Sequence, residues 1–248
     1  MPISKMFQRA LGALHFLTII RLGNPGPFDA PGMVPYFPIV GLLIGAMVVI
    51  ADWIGSYFLQ SHILAVVDVA FLAILSGALH LDGLADSADG IFSHRGKERA
   101  LEIMKDSRVG VMGVVVVFLT LALKIAAIAG IQEHIGLWLL MVPALSRSGI
   151  IAAMKWLPYG RPQGGTGRAF IDSNLSCTAF RGVIPLLILG LFAGWHGLAI
   201  LCVFIAITWG LIRFFKYQMD CVTGDMLGAM IEITETLLFT VAAMDLAV

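Results

Sequence analysis

Residues 77–113 read GALHLDGLADSADGIFSHRGKERALEIMKDSRVGVMG and separate two strongly apolar parts of the chain. Six of the sixteen acidic residues lie in this stretch, namely Asp82, Asp86, Asp89, Glu98, Glu102 and Asp106. Five basic residues accompany them, namely Arg95, Lys97, Arg99, Lys105 and Arg108. Ionisable residues that interrupt apolar sequence are commonly functional. We therefore expect the chemistry of this protein here, with the apolar runs on either side as its support.

The composition predicts an integral membrane protein. The chain has 248 residues, of which 59% are hydrophobic and only 13% are charged, and its mean hydropathy is +0.92. Soluble domains contain about 25% charged residues. A soluble fold would have to bury six or seven apolar runs in one core, and each run has the length of about 20 residues that crosses a bilayer.

The apolar runs and their breaks predict an all-α, polytopic bundle of about seven membrane spans. An N-terminal amphipathic helix over 5–20 precedes the spans, and the proline- and glycine-rich segment 21–38 is expected to be a loop. The predicted spans are 37–59, 61–80, 109–131, 135–157, 179–194, 197–214 and 226–247. We interpret residues 1–248 as a single membrane-embedded catalytic domain.

Basic residues divide unevenly between the two ends of these spans. The links at residues 60–62, 132–134 and 194–197 contain no lysine or arginine. Fourteen of the sixteen lysines and arginines lie before the first span or at the other connections and the span ends next to them, whereas Lys124 and Arg147 lie deeper within spans. By the positive-inside rule the basic side is cytoplasmic. We therefore predict a multi-pass protein of the bacterial inner membrane, with its N-terminus and its active site at the cytoplasmic face and its C-terminus outside.

Asp82, Asp86 and Asp89 have a spacing that favours a cation site. In a helix they stand at i, i+4 and i+7, so all three share one face, where like charges repel one another. A divalent cation removes this repulsion, and oxygen ligands of this kind suit Mg²⁺ or Mn²⁺. The alternative is a solvated acidic loop, because Gly83 and Gly90 weaken the helix.

A second acidic set opens the last predicted span. Asp225, Glu232 and Glu235 again share one helical face. Asp225 could act only as a helix cap, which is a common role for aspartate. Glu232 and Glu235 lie deeper, where a carboxylate is costly unless it is paired or faces a wet cavity.

Basic residues on the same side could bind phosphate, because the guanidinium group matches phosphate oxygens. The candidates are Lys105, Arg108, Arg147, Arg161 and Arg168. For the loop residues, ordinary positive-inside charge is an equal alternative. Arg147 lies within a span and needs a partner, and Lys124 could pair with a neighbouring acid in a structural role. His80 could be a general base or only a polar residue at a span end.

The central stretch resembles the signature of the cobalamin synthase (adenosylcobinamide-GDP ribazoletransferase) family. The resemblance continues in order through FLTIIRL at 16–22, YFPIVGLLIG at 36–45, PALSR at 143–147, PYGR at 158–161 and TGDMLGAMIEITE at 223–235. Before TGD, residues 219–222 read MDCV where the family pattern has a glycine pair, and HFLTIIRL replaces a more compact run. These departures concern local loop shape.

The resemblance implies that α-ribazole or its 5′-phosphate is joined to adenosylcobinamide-GDP with release of GMP, in a reaction that requires Mg²⁺. It implies Asp82, Asp86, Asp89 and Asp225 as metal ligands. His80 and Asp106 join the first three aspartates as catalytic candidates. Lys105, Arg108, Arg147, Arg161, Asp225, Glu232 and Glu235 are the candidates for substrate binding. Membrane lipid is the other expected partner, nucleic acid is not expected, and a homo-oligomer is left open.

Two other functions compete with this interpretation. One is a different Mg²⁺-dependent membrane transferase, of the CDP-alcohol phosphotransferase or prenyltransferase kind, since Asp82-Gly-Leu-Ala-Asp86 resembles the opening of the former motif. The other is a cation-coupled transporter that uses Lys124, Arg147, Glu232 and Glu235. Inverted repeats would favour a transporter, and the sequence contains no evident internal repeat.

Overall fold

The computed structural model describes residues 3–161, 164, 167–171 and 175–244. Its helices are α1 Ile3–Leu17, α2 Ala30–Met33, α3 Phe37–Gly55, α4 Ser61–Leu75, α5 Leu79–Ile91, α6 Lys97–Ile103, α7 Val111–Gly130, α8 Ile135–Trp156, α9 Arg168–Ile171, α10 Ile184–Phe192, α11 Gly194–Met219 and α12 Gly224–Ala242. Short 3₁₀ turns, Val34–Tyr36 and Cys177–Val183, lead into α3 and α10. The described residues form no β-strand, and an isolated bridge joins Tyr159 to Val222. The prediction of an all-α fold is confirmed.

Several helices are long and apolar enough to cross a membrane. Four segments meet this description, namely Ala30–Gly55, Val111–Gly130, Ile135–Trp156 and Gly194–Met219, and the bent pair α4 and α5 makes up to five. The chain is therefore a polytopic membrane protein. The count of seven spans stays a prediction, because α4 and α10 are short and α12 carries three carboxylates. Residues 245–247 of the predicted seventh span lie outside the described residues.

The outer surface of the bundle exposes many large apolar side chains. On α7, Val111 is 79% exposed and Phe118 is 68% exposed, whereas Lys124 is only 2% exposed. A helix in water would show the opposite arrangement. A surrounding of lipid hydrocarbon favours an arrangement in which apolar side chains point outward and charged side chains point inward. Lipid solvates Phe118 but does not solvate Lys124.

Helix α8 is the centre of the bundle, and its closest neighbour is α3. Gly41 and Gly45 lie one turn apart on α3, and a Cβ at Gly45 would lie 2.5 Å from the carbonyl oxygen of Leu140. A Cβ at Gly41 would lie 2.5 Å from the Cα of Ala144. Small residues at this spacing let membrane helices approach backbone to backbone, so α3 and α8 form a rigid base for the site.

The chain turns sharply between α4 and α5. The predicted continuous span over 61–80 is wrong, since α4 ends at Leu75 and α5 runs at 88° to it. Gly77 and Ala78 produce the turn with φ values of 62° and 57°, and the apolar sequence around them does not reveal it. Asp82, Asp86 and Asp89 on α5 therefore follow the predicted end of this span at residue 80, on a helix of their own.

Candidate active site

Helices α5 and α12 cross at two glycines, and this crossing assembles the candidate site. A Cβ at Gly83 would lie 2.6 Å from the carbonyl oxygen of Asp225, and one at Gly228 would lie 3.2 Å from the Cα of His80. Any side chain at either position would push the helices apart. Because the backbones touch here, the face of α5 that carries Asp82 and Asp86 lies beside the first turn of α12.

The loop before α9 completes one wall of the site. Gly160 N donates to Val222 O at 2.9 Å, and Val222 N donates to Pro158 O at 2.9 Å. This backbone pairing brings Arg161 against Asp225, with which it forms an ion pair. The guanidinium group also donates to Met104 O at 3.2 Å, so Arg161 connects three segments. Residues 162, 163, 165 and 166 of this glycine-rich loop lie outside the described residues.

Asp225 lies in the acidic cluster, and the predicted alternative that it acts only as a helix cap is wrong. The N-cap of α12 is Thr223, whose side chain accepts a hydrogen bond from Met226 N at 3.3 Å. Asp225 instead accepts from Thr223 Oγ1 at 3.3 Å and pairs with Arg161. Its carboxylate is therefore available at the crossing with α5 rather than used up as the cap.

Asp89 holds the start of α7. Its carboxylate accepts hydrogen bonds from Gly110 N at 2.6 Å and from Gly113 N at 2.8 Å. These are amide groups of a helix N-terminus, which lack partners within the helix. A Cβ at Gly113 would lie 2.6 Å from Asp89 Oδ2, so glycine is required there. Asp89 thus fixes α7 to α5, in addition to its place on the acidic face.

The carboxylates at the crossing repel one another. Partial burial, followed by the negative charges of Asp82 and Asp225, raises the pKa of Asp86 from 3.8 to about 6. Arg161 opposes this effect and Asp89 adds to it. Among the described residues, we call the group formed by these four carboxylates and the guanidinium group of Arg161 the mouth cluster: Asp82, Asp86, Asp89, Asp225 and Arg161.

The mouth cluster fits a divalent cation that arrives together with its substrate. Among the described residues, no three His, Cys, Asp or Glu side chains stand close enough to form a metal site as they are. Mg²⁺ does not need such a cage, because it commonly binds through one or two carboxylates and takes its other ligands from water and substrate phosphates. Such a cation would neutralise the excess negative charge and would lower the pKa of Asp86, which the neighbouring carboxylates raise.

A small cavity lies beside the mouth cluster. Its volume is about 190 Å³, and its lining includes His80, Asp82, Arg161, Asp225 and the aromatic rings of Phe16 and Phe170. It is therefore partly polar and partly aromatic. A reactive group of a substrate can enter this space, whereas the bulk of a large substrate must stay at the open face.

A second charged cluster lies within the membrane bundle, and we call it the buried network. Lys124 Nζ donates to Glu232 Oε2 at 2.6 Å and to Glu235 Oε2 at 2.8 Å. Arg147 forms an ion pair with the other oxygen of Glu235 and donates to Ser146 Oγ at 3.0 Å. Two cations balance two anions, so the charge of the network is zero.

His80 connects the two clusters. It is 3% exposed and stands on α5, and its Nδ1 is 3.3 Å from an Nη of Arg147. Arginine can only donate, so Nδ1 accepts and the ring proton of the neutral imidazole is on Nε2. The ring also lines the small cavity. His80 therefore contacts the buried network and also borders the site.

The remaining predicted residues lie away from the mouth cluster's centre. Asp106 binds Arg108 through both carboxylate oxygens, with Nε at 3.0 and 3.1 Å. These hydrogen bonds lower the pKa of Asp106 to about 2. Lys105 and Arg108 are exposed. Their parts in substrate binding, and that of Asp106 in catalysis, stay predictions.

Comparison with known proteins decides the family. The sequence model described as cobalamin-5-phosphate synthase matches residues 9–243. The chain belongs to the cobalamin-5-phosphate synthase family. This confirms the resemblance seen in the sequence motifs.

Members of the cobalamin-5-phosphate synthase family match the chain over nearly all of its length. It is 37% identical to the adenosylcobinamide-GDP ribazoletransferase of Syntrophobacter fumaroxidans, with 93% of this chain and 96% of that protein covered. It is 36% identical to the protein of the same name from Alkaliphilus metalliredigens, with 92% of each covered. The protein of that name from Pseudomonas syringae pv. syringae is also 36% identical, with 92% of this chain and 95% of that protein covered. No solved structure matches the chain.

Sequence reasoning missed two features of the site. It treated Gly83 as a weakness of α5, whereas this glycine is the contact with Asp225. It predicted metal-binding and catalytic roles for Asp89 but not a structural one, although its carboxylate binds Gly110 and Gly113. The glycines within helical patterns were the available signal, because an isolated glycine in a helix commonly marks a close packing contact.

Proposed function

We propose that this protein joins α-ribazole, or its 5′-phosphate, to adenosylcobinamide-GDP, giving adenosylcobalamin or its 5′-phosphate and releasing GMP. The observation that carries the proposal is the near full-length match to the cobalamin-5-phosphate synthase family. The mouth cluster supports it, since a pyrophosphate is the kind of substrate that brings Mg²⁺ to spare carboxylates. This reaction completes the nucleotide loop of cobalamin.

The chemistry is a displacement at phosphorus. A ribose hydroxyl of ribazole forms a bond to the phosphorus attached to cobinamide, and the bond from that phosphorus to the oxygen of GMP breaks. The hydroxyl proton passes to a carboxylate, and GMP leaves with the bonding electrons. Enzymes accelerate such reactions mainly by in-line positioning and by neutralising charge on the phosphoryl oxygens.

Asp82, Asp86 and Asp225 would hold Mg²⁺. Asp89 would support them by fixing α5 to the start of α7. When bound, the ion supplies neutralisation of the pyrophosphate charge. Arg161 forms an ion pair with Asp225. When substrate binds, one side of its planar guanidinium group would donate to a phosphate oxygen instead of to Asp225. Lys105 and Arg108, exposed nearby in sequence, would attract the anionic donor at longer range.

We assign the hydroxyl proton to a mouth-cluster carboxylate rather than to His80. Because Arg147 donates to Nδ1 of His80, the Nε2 atom carries a proton and can donate but not accept. His80 would then steady a phosphoryl or hydroxyl oxygen in the small cavity. A carboxylate of the mouth cluster that is not bound to Mg²⁺ would accept the proton.

The buried network has a structural role in this proposal. Lys124 and Arg147 neutralise Glu232 and Glu235, so these four side chains hold α7, α8 and α12 together and orient His80. The site opens to the cytoplasmic side of the inner membrane, as the distribution of lysine and arginine suggests. Both water-soluble substrates would be supplied from that side.

The test is release of GMP from adenosylcobinamide-GDP by purified protein in detergent, with α-ribazole or its 5′-phosphate and Mg²⁺. GMP and cobalamin product in equal amounts support the proposal. Detergent removes the sealed membrane, so turnover there excludes transport as the activity. Release of CMP from a CDP-alcohol, or of pyrophosphate from a prenyl diphosphate, without GMP release would assign the protein to another class of transferase.

A further inference from the structure

A groove on the outer surface of the bundle lies between α8 and α11. Its volume is about 200 Å³, and apolar side chains make up nearly all of its lining. Gly149 and Ala152 on α8 form its floor, and a Cβ at Gly149 would lie 3.4 Å from the ring of Phe204 on α11. The groove opens outward, since Ile205 lines it and is 62% exposed. The proposed function assigns no role to this groove.

Aromatic side chains close one end of the groove. The rings of Trp156 and Trp209 meet edge-on with their centroids 6.3 Å apart, and the ring of Phe180 lies 6.5 Å from that of Trp156. Tryptophan is enriched where a span meets the membrane–water interface. Trp156 is the last residue of α8, and the chain runs from it directly to Arg161 of the mouth cluster. This end of the groove therefore lies at the end of the bundle that carries the mouth cluster.

Basic residues stand directly beyond the tryptophans. The guanidinium group of Arg213 lies over the ring of Trp209, 6.0 Å from its centroid, and Lys216 follows one turn later on α11. Both basic residues are exposed, and neither forms an ion pair with any other described residue. No acidic side chain of the described residues lines the groove. Two positive charges at this end are therefore available to an anion.

The wall of the groove also contains a hydroxyl group that lacks an acceptor. Thr208 lines the groove and is only 9% exposed, and within the described part of the chain its Oγ1 has no hydrogen-bond partner. A threonine hydroxyl in a helix commonly donates to the carbonyl group one turn earlier, and a buried polar atom without a partner is costly. An occupant with a carbonyl oxygen between the levels of Phe204 and Trp209 would accept this hydrogen bond.

We propose that this groove binds an anionic phospholipid, with an acyl chain along its floor, an ester carbonyl at Thr208 and the phosphate at Arg213 and Lys216. Apolar residues, a hydroxyl group, tryptophan rings and basic side chains follow one another along α11 from Phe204 to Lys216. The groups of a phospholipid have the same order, from acyl chain to headgroup. Basic residues at the membrane surface attract anionic lipid, so the net charge of the headgroup decides the preference. The inference goes beyond the proposed function and does not depend on it.

A second copy of the chain fits the groove less well than a lipid does. The subunits of a symmetric dimer present the same surface to each other. Both copies have the same orientation in a membrane, so this contact would bring Arg213 and Lys216 close to their counterparts in the other copy. Like charges repel there, whereas a lipid phosphate neutralises them.

Equilibrium binding of radiolabelled lipids to the purified protein in a neutral detergent tests the assignment. The wild type should bind phosphatidylglycerol more tightly than phosphatidylcholine. Arg213→Gln should lower the affinity for phosphatidylglycerol about fivefold, the scale of one basic residue near anionic lipid, and leave the affinity for phosphatidylcholine unchanged. Ala152→Leu should lower the affinity for both lipids, because the larger side chain occupies the floor on which the acyl chain packs.

Each variant has a matched control away from the groove. Arg95→Gln removes another exposed arginine, and Ala122→Leu enlarges an exposed alanine of α7. Both controls should bind the two lipids as the wild type does. Unfolding midpoints without added lipid show whether Ala152→Leu is folded. Arg213→Gln changes an exposed side chain, so it decides the headgroup contact even if Ala152→Leu does not fold.

Three results would overturn the assignment. The first is equal affinity of the wild type for the two lipids, and the second is unchanged binding of phosphatidylglycerol by Arg213→Gln or by a folded Ala152→Leu protein. The third is a wild-type dimer in sedimentation velocity that Ala152→Leu converts to a monomer, which would assign the groove to a second copy of the chain. These experiments measure binding and association, so their results do not depend on whether the protein releases GMP.

Discussion

The buried network and the mouth cluster are built from the same residue types but are balanced differently. In the buried network, Lys124 and Arg147 meet Glu232 and Glu235 with no charge left over. In the mouth cluster, Asp225 pairs with Arg161, and the negative charges of Asp82, Asp89 and Asp225 act on Asp86. The contrast indicates that charge inside the bundle serves the fold, whereas excess charge at its end is kept for a cation and an anionic substrate.

Solvation is the physical reason for the difference. A charge in the hydrocarbon region is costly unless it is paired, and each of the four charged side chains of the buried network has a partner of opposite sign. At the end of the span, water and ions compensate an excess of carboxylates at lower cost. Four predictions test this comparison, from the largest expected effect to the smallest.

The first concerns Glu235, which has contacts to both cations of the buried network. Glu235→Gln leaves Arg147 without its carboxylate partner, and breaking a buried pair in this way costs about 3–5 kcal/mol. We expect a large fall in the thermal unfolding midpoint in detergent and poor accumulation in membranes. A folded Glu235→Gln protein with a raised substrate KM would instead place Glu235 in the substrate site, as its sequence position allowed.

The second concerns the mouth cluster. Asp82→Asn and Asp86→Asn should lower kcat for GMP release by about 100- to 1,000-fold, the effect of removing one transition-state contact of this kind. The unfolding midpoint should not fall, because each change removes a repelling charge. Midpoints below that of the wild type would make these aspartates structural. Rates and Mg²⁺ dependence equal to the wild type would exclude the mouth cluster from the mechanism.

The third uses pH. The pKa of Asp86 is about 6 in the folded protein, whereas the ordinary value for an aspartate is 3.8. Between about pH 4 and pH 6, the folded state therefore binds the proton of Asp86 more tightly than the unfolded state does. Stability without divalent cations should therefore fall as pH rises from 4 to 7. Mg²⁺ should offset the loss, most at pH 7, where the carboxylate is ionised.

Asp86→Asn is the control for the pH effect, since it removes the titrating group. Unfolding midpoints of this variant, measured over the same pH range with and without Mg²⁺, should show a shallower slope and a smaller shift by the metal. A slope identical to that of the wild type would assign the effect to another group.

The smallest effect is expected at Glu102, which pairs with Arg99 at 2.6 Å on the surface of α6, with both side chains more than 60% exposed. Glu102→Gln should change the free energy of unfolding by less than about 1 kcal/mol and leave GMP release unchanged. It is the matched carboxylate-to-amide control for Asp82 and Asp86. A large loss of activity here would extend the functional site onto α6.

Periodicity predicted those parts of the site that lie within one helix. The spacing of Asp82, Asp86 and Asp89 placed them on one face, and α5 is indeed helical throughout that segment. The same reasoning required partners for Glu232 and Glu235. It could not identify Lys124 as their shared partner, because 108 residues separate it from Glu232, and a helix pattern contains no information about which helix lies next to it.

The sequence by itself determined that the chain lies in a membrane, which segments are helical and which family it belongs to. It could do so because hydropathy and contiguous motifs are local properties of the chain. Tertiary structure alone decided the turn at Gly77, the glycine crossing of α5 with α12, and the pairing that leaves one charged cluster neutral and the other acidic. These depend on contacts between distant segments. A carboxylate becomes structural or functional according to which side chain meets it in space.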